Sequence, residues 1–498
     1  MNNCCNCMGY HEQNLDWLME EMRRVINEWA EVKKENEDFT KDIDGKIVLL
    51  EKDFSDLKTY VNNYFANLDV QEEINKKLDE MLNNGEFDAI LQKFFLNEHI
   101  NVLDPPDNLN KLDSTGVADC SRNLQSIINY CSGKGGEIFF PKGRYKFDES
   151  INITEIGGIT FKGESIGSVT FVVNAETLFN IGTPEKSKNF TRFENIIFTN
   201  SFESGDCTYL NLINTTAFRC ELCYFYNSAH PIIITKGSGA RILNSNIIND
   251  TFEGSGIGIQ INGTLNSSYI QNVAINAGNA SYRGVLVSAH SRDCFIDSLE
   301  TFACTTAIEI NGTDSDTNYP GNIQITGCIL DSCKNRGILF TNMNSINPSQ
   351  ILNNYISRSS SENGFVGINL SSASNVNVVG NTIINFDPTN CVGLTVGNSI
   401  VVNNNIITNV YRAILLNGDD SIILGNAIKL LDQSQFISGM GMRNTIVSNN
   451  VKGNVAYMLN LSNSDYLIIA NNLLSKGTGA GTKTDYGTNS IFINNIEI

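Results

Sequence analysis

Ser399-Ile400-Val401-Val402-Asn403-Asn404-Asn405-Ile406 is echoed by Ser421-Ile422-Ile423-Leu424-Gly425-Asn426-Ala427-Ile428 and again by Ser490-Ile491-Phe492-Ile493-Asn494-Asn495-Ile496. In each, a polar turn launches a run of β-formers into an Asn, and an apolar residue follows. Working outward, the phrase apolar-x-Asn-x-apolar recurs with centres at Asn195, Cys220, Asn246, Asn272, Asp297, Gly327, Asn354, Asn381, Asn404, Asn426, Asn449, Asn471 and Asn494, between 22 and 30 residues apart. A period of that size marks a solenoid. The segments between centres are short β-branched runs broken by Gly, Asn, Asp and Ser, never an amphipathic helix. Each repeat is therefore predicted to be one turn of a parallel β-helix. An Asn at a sharp corner tolerates a left-handed backbone, and its amide can bond the same amide one coil above and one below. That predicts a structural ladder through Asn354, Asn381, Asn404, Asn426, Asn449, Asn471 and Asn494. The register is loosest at Asn246 and Asn272, which lack bulky apolar neighbours on both sides.

The composition fits a large shaft. At 498 residues and 41% hydrophobic content, with no run of about 18 apolar residues, the chain should bury an extensive core without spanning a membrane. Met1 to Tyr10 has neither the basic start nor the apolar stretch of a secretory signal, so folding in a reducing cytoplasm is expected. The cysteines at 207, 220, 223, 294, 304, 328, 333 and 391 then read as small buried thiols stacked inside the repeats. Cys4, Cys5 and Cys7 form a terminal cluster with no matching second pair, read as part of a docking terminus; no metal and no cofactor are expected. A net charge of -19 argues against a nucleic-acid partner. Residues 1 to 105 carry 23 acids and 11 bases, so most of the acidity belongs to the N-terminal segment.

That segment has its own grammar. Leu15, Leu18, Met22, Val25, Trp29, Val32, Asn36, Phe39 and Ile43, then Ile47, Leu50, Phe54, Leu57, Val61, Tyr64 and Leu68, alternate steps of three and four. This is the seam of a self-associating coiled coil, with a stutter beside Gly45 and a register-setting polar residue at Asn36. The sequence divides into a docking N-terminus (1–14), a coiled-coil stem (15–69), a short helical bundle (70–100), a linker around Pro105-Pro106 (101–118), a capping helix with the opening coils (119–190), and the β-helix shaft (191–498).

Two stretches carry a resemblance. Asp119 to Phe147, with Leu124-Gln125-Ser126-Ile127-Ile128 followed by Gly135-Gly136-Glu137-Ile138-Phe139-Phe140-Pro141-Lys142-Gly143-Arg144-Tyr145, resembles the start of pectate-lyase-like β-helices, where a short helix caps the open end of the solenoid. Leu15 to Leu82, especially Asp16-Trp17-Leu18-Met19-Glu20-Glu21 and Asn62 to Met81, is similar to the N-terminal stem of tail-fibre, tailspike and appendage proteins from phages of Gram-positive bacteria. The resemblance implies a homotrimeric tailspike or preneck-appendage-like protein. Its N-terminus would dock on tail, collar or baseplate proteins, and its right-handed β-helix would meet bacterial surface polysaccharide. It also implies assembly in the host cytoplasm and a place on the virion tail.

The sequence holds no complete catalytic motif. Polygalacturonase-like members of the superfamily carry several short motifs, of which only Asp419-Asp420 is present, and that pair recurs in register with Asn375, Asn398 and Asp465 as a turn signal. The longest repeat, between Asp297 and Gly327, collects acids: Asp293, Glu300, Glu309, Asp314, Asp316 and, one rung on, Asp331. Glu300, Asp331 and Glu309 are the catalytic candidates. On the alignment of Asp297 with Gly327, Glu300 lies one residue out of step with Asp331, which places two carboxylates about 5 Å apart if they point the same way, within the roughly 5 to 10 Å at which glycosidases pair an acid with a nucleophile or base. Tyr282, Tyr319, Asp314 and Asp316 are the glycan-binding candidates. Both Trp residues lie in the stem, so tyrosines, including Tyr209, Tyr224, Tyr226 and Tyr269, would supply the sugar-stacking faces. His230 and His290 read as surface residues near turns. Three functions stay open: a receptor-binding appendage that adsorbs to host polysaccharide, a tailspike depolymerase that hydrolyses or otherwise cleaves it, and a purely structural collar or baseplate element.

Overall fold

The structure is a computed structural model that describes residues 99–497, and Lys52, Ser55, Asp56 and Thr59 ahead of them. Outside the description lie residues 134, 155–157, 186–189, 201–206, 250–253, 264, 279–280, 289–290, 313–320, 344–347, 359–363, 386–389, 454, 462–463, 475–483 and 487–488. The docking terminus, coiled-coil stem and helical bundle expected over 1–100 lie almost wholly outside the described residues, as do Asp314, Asp316, Tyr319 and His290.

From residue 99 the chain is a right-handed parallel β-helix, its strands joined in sheets of 18 and 28 members. Among the described residues every strand pairing is parallel, each strand matched to the one a single coil earlier or later, as in Arg219↔Arg241 and Phe225↔Ile247. Alternation does the rest. In Val169–Val173 the first, third and fifth residues are buried and the others half-buried, the period of two that sends one set of side chains into the tube.

Thirteen corners with positive φ follow one another up the helix: Asn195, Leu222, Asn244, Asn272, Ser298, Gly327, Asn353, Gly380, Asn404, Gly425, Ser448, Asn471 and Asn494. The sequence phrase found every one of these turns to within two residues. The residue after each corner points into the tube, and it changes character along the shaft. It is Ile196, Cys223, Ser245, Val273, Leu299 and Cys328 in the earlier coils, then Asn in all seven later ones.

The ladder therefore runs through Asn354, Asn381, Asn405, Asn426, Asn449, Asn472 and Asn495, which corrects three of the expected members. Asn404, Asn471 and Asn494 are the left-handed corner residues, with φ of 54°, 55° and 52°, and the amide that stacks belongs to their successors. The physical reason is that one residue does not do both jobs. The left-handed residue turns the chain, and the next side chain enters the tube. Each ladder amide satisfies backbone that the corner leaves without a partner. Asn381 donates from Nδ2 to Asn405 Oδ1 and to Ile351 O, both at 2.9 Å, and its backbone N–H donates to the same Oδ1 at 2.9 Å. The pattern repeats from Asn405 to Asn426, Asn449, Asn472 and Asn495.

The earlier coils are filled by aromatic rings. Phe161 stacks on Phe193 at 4.7 Å and Phe198 on Phe225 at 4.9 Å, with Phe140, Phe171 and Phe179 packed among them. The helix Ser121–Cys131 closes that end, burying Leu124, Ile127, Ile128 and Cys131. Its first turn is organised by Asp119, whose carboxylate accepts from the Ser121 N–H at 3.0 Å and hydroxyl at 2.6 Å. Phe140 meets Tyr145 edge-on at 5.3 Å across the Pro141-Lys142-Gly143 turn, whose Pro141 carbonyl takes the Tyr145 hydroxyl at 2.8 Å.

The segment 101–118, expected as a linker, is instead part of the solenoid. His99–Asn101 pairs with Gly136–Phe140, Thr115–Asp119 pairs with Gly143–Phe147, and Val102 and Leu112 are buried. The prolines occupy a turn between those two strands, where no ladder N–H is needed.

The ten described cysteines are buried thiols. Burial alone pushes the Cys294 thiol up to about 12, so these thiols are inert packing groups.

Candidate functional site

The residues expected to form a carboxylate pair are separated by register. Glu300 pairs with Ile329 and Asp331 with Phe302, so the acids stand two residues and one rung apart, about 8 Å between Cα atoms. The sequence alignment placed the corner at Asp297; the left-handed residue is Ser298, and that single step moves Glu300 away from Asp331. Glu300 is exposed, while Asp331 accepts hydrogen bonds from the Ser357 and Ser332 hydroxyls. Asp419 and Asp420 serve a corner: Arg443 of the next coil bonds both Asp420 oxygens at 2.7 Å and holds that carboxyl below its usual range.

Glu309 stands elsewhere. It lies in a groove of about 510 Å³ on the outside of the larger sheet, lined also by Arg283, Arg336, His230, Thr306 and Leu339. Four successive coils build it, with His230 from the coil before them. Arg283, Thr306 and Arg336 occupy one outward column in direct register, and Leu286, Glu309 and Leu339 occupy another. The two arginines are thus two rungs apart, roughly 10 Å, with Thr306 between them. Ser255, Gly256, Ser281 and Thr305, with Ile257, complete the lining, and the four small residues leave room in it.

Tyr282 explains part of that shape and corrects its expected role. It is fully buried, with its hydroxyl donating to Ser228 O at 3.1 Å, so it offers no face to a ligand. The ring turns inward because Gly256 makes room: a Cβ there would come within 2.5 Å of it. Tyr209 is buried in the same way, and its hydroxyl is bonded to Tyr226 O.

The groove's charges are unequal. Arg283 donates to Glu309 Oε2 at 3.2 Å, and the Glu309 side chain is only 14% exposed, so that pair is largely settled within the protein. Arg336 has no carboxylate partner among the described residues, and its Nε is buried without a hydrogen-bond partner. A groove-lining arginine with no acidic partner is suited to an anionic or strongly polar ligand. Sequence reading missed Arg283, Arg336 and the groove position of His230, because the three are contributed by different coils and meet only once the register is known. A second outward surface belongs to the smaller sheet. There Tyr269, 38% exposed, stacks on Phe295 at 4.8 Å and carries Arg241 at 5.4 Å over its ring.

No protein-family model and no curated protein sequence matches the chain. Solved structures do. A tailspike protein mutant of E. coli bacteriophage HK620, determined in complex with pentasaccharide, matches with a TM-score of 0.54 at 13% identity, over 80% of this chain and 79% of that one. Bacteriophage CBA120 tailspike protein 3 aligns at 0.47 and 13% identity, over 86% of this chain and 68% of that one. Geobacillus virus E2 ORF18 aligns at 0.37 and 15% identity over 82% of this chain, which spans 63% of that protein's length. The described part of this chain has the parallel β-helix fold of a phage tailspike.

Proposed function

We propose that the chain is a virion tail appendage that attaches the particle to polysaccharide on the host surface, as a homotrimer whose N-terminus docks on the tail. The observation that carries the binding role is the groove: a shallow, open, largely polar trough across four rungs. Leu339 gives it an apolar wall, and Arg336 lines it with no carboxylate partner among the described residues. Sugar chains are extended and hydroxyl-rich, and such a trough meets them with few ordered polar groups on a rigid sheet. The tailspike fold and the heptad seam of residues 15–68 support the same assignment.

Binding without cleavage is the preferred form. Glu309 is the one carboxylate lining the groove among the described residues, and it is engaged by Arg283. Two-carboxylate hydrolysis needs a second acid facing the first. The depolymerase and the purely structural element are the competing outcomes of one experiment. The purified protein is passed over immobilised teichoic acid as the acidic probe and dextran as the neutral one, and the eluate is sized for released sugar. Retention on teichoic acid, an affinity drop of about tenfold or more for Arg336→Ala, and no released oligosaccharide is the expected result. Oligosaccharide release lost in Glu309→Gln would establish a depolymerase, and retention on neither probe would leave only the structural role.

A further inference from the structure

Along one outward column of the smaller sheet the side chains change character. The early coils place Arg192, Arg219 and Arg241 there, in register. The neighbouring outward column carries Glu194 and Glu221, and Arg192 reaches Glu221 at 3.0 Å. In the last coils the same two columns hold Ile422, Ile468, Ile491 and Ile493, again in register, with Thr445 as a small break. Around the adjacent corner Ile406 and Ile496 stand in one column of the larger sheet, with Ala427, Asn450 and Leu473 between them. These six isoleucines are between 41% and 60% exposed.

We infer that this apolar strip, from Ile406 to Ile496, is where copies of the chain meet one another along the shaft. The inference rests on the self-association proposed above and locates it. Area is the first argument. With Met440, Met442 and Tyr466 at its edge, the strip offers on the order of 900 Å², beyond the few hundred Å² of apolar patch usual on a monomer and close to the roughly 800 Å² each partner gives a standard interface.

Charge is the second. Residues 106–498 hold 31 acids and 24 bases, a net of -7, so copies of the shaft approach most easily where that charge is absent or already neutralised. The strip's isoleucines are uncharged, and two acids near it, Asp419 and Asp420, are paired within the chain to Arg443 at 3.7 Å and 2.7 Å.

Geometry is the third. The rung spacing is the same in every copy, so an isoleucine column set against its own counterpart meets ridges of matching period. A rotation axis along the shaft repeats that match on each copy. The heptad seam gives the chain a separate reason to associate with itself.

The test replaces Ile468 with the photo-crosslinking residue p-benzoylphenylalanine in the full-length chain, mixed with isotope-labelled copies so that links between chains are identified by mass. A control carries the same residue at Glu300, on the other sheet. The expected result is an assembled protein in light scattering and links from position 468 into residues 401–496 of another copy, with none from position 300. An assembly that gives no such links from 468 would overturn the inference while leaving self-association standing. A monomer in light scattering would overturn both.

Discussion

The first and last coils of the shaft share one winding and are held by different chemistry. Near Phe161, Phe193 and Phe198 the tube is filled with stacked rings, and its outer face is laced by Arg192, Arg219, Glu194 and Glu221. From Asn354 onward the filling is Ile, Val and Leu, a ladder of buried amides lines the corner, and in the last coils the outer face turns apolar. The difference teaches that a parallel β-helix asks each coil only to fill its interior and satisfy its corners. Ring stacking accomplishes the first in the early coils, and amide stacking accomplishes the second in the later ones, where the corner leaves the backbone short of partners. The outer face is then free to differ, charged where it faces solvent and apolar where we place the contact between copies.

The comparison can be broken from either side. Phe193→Ala should cost most, about 3 to 5 kcal/mol, because Phe193 is fully buried against Phe161, Phe179 and Phe198. Since each coil contacts mainly its neighbours, hydrogen exchange should rise in the early coils while amides beyond residue 400 stay protected. Asn426→Ala should do the reverse, costing about 2 to 4 kcal/mol in urea unfolding. It removes the Oδ1 that takes both the Asn405 N–H and the Asn405 Nδ2 and leaves those donors buried. Its exchange signature should appear in the coils around residues 400–450.

The smallest effect sharpens the contrast through pH. Three backbone N–H groups, of Ala118, Thr115 and Val117, and the Thr115 hydroxyl hold Asp113 down to about 2 from 3.8. A carboxyl lowered in the folded state contributes stability that is present above 3.8 and lost as the pH falls through about 2. Acid should therefore loosen the opening strand Thr115–Asp119, and Asp113→Asn should flatten the dependence between about pH 4 and 2. The neutral amide ladder has no such titration; Asp420, held down by Arg443, titrates in the same sense but is untouched by this variant.

Much of this was legible in the sequence, and the part that was not has a specific cause. The coil number and period were readable because a left-handed corner favours Asn or Gly, which hold ten of the thirteen. The ladder slipped by one only where Asn follows Asn, at Asn404-Asn405, Asn471-Asn472 and Asn494-Asn495, since both the corner and the stacked position suit an amide. Where Gly380, Gly425 or Ser448 holds the corner, the stacked Asn was identified correctly. The same one-residue uncertainty at Asp297 and Ser298 misplaced Glu300 against Asp331. The groove was invisible for a related reason: Arg283 and Arg336 are 53 positions apart in the chain, and only the strand register through Thr306 brings them into one column.

The central claim is that one solenoid divides its labour, with ligand held in the groove of the middle coils and copies held together by the strip of the last coils. Analytical ultracentrifugation of Arg336→Ala and Ile468→Asp, each with and without teichoic acid, reads assembly and binding together. The account predicts that Arg336→Ala keeps the wild-type mass and loses the shift on adding polymer. It predicts that Ile468→Asp associates more weakly, while each chain still binds. Equal loss of both properties in both variants, or a change in neither, would contradict it.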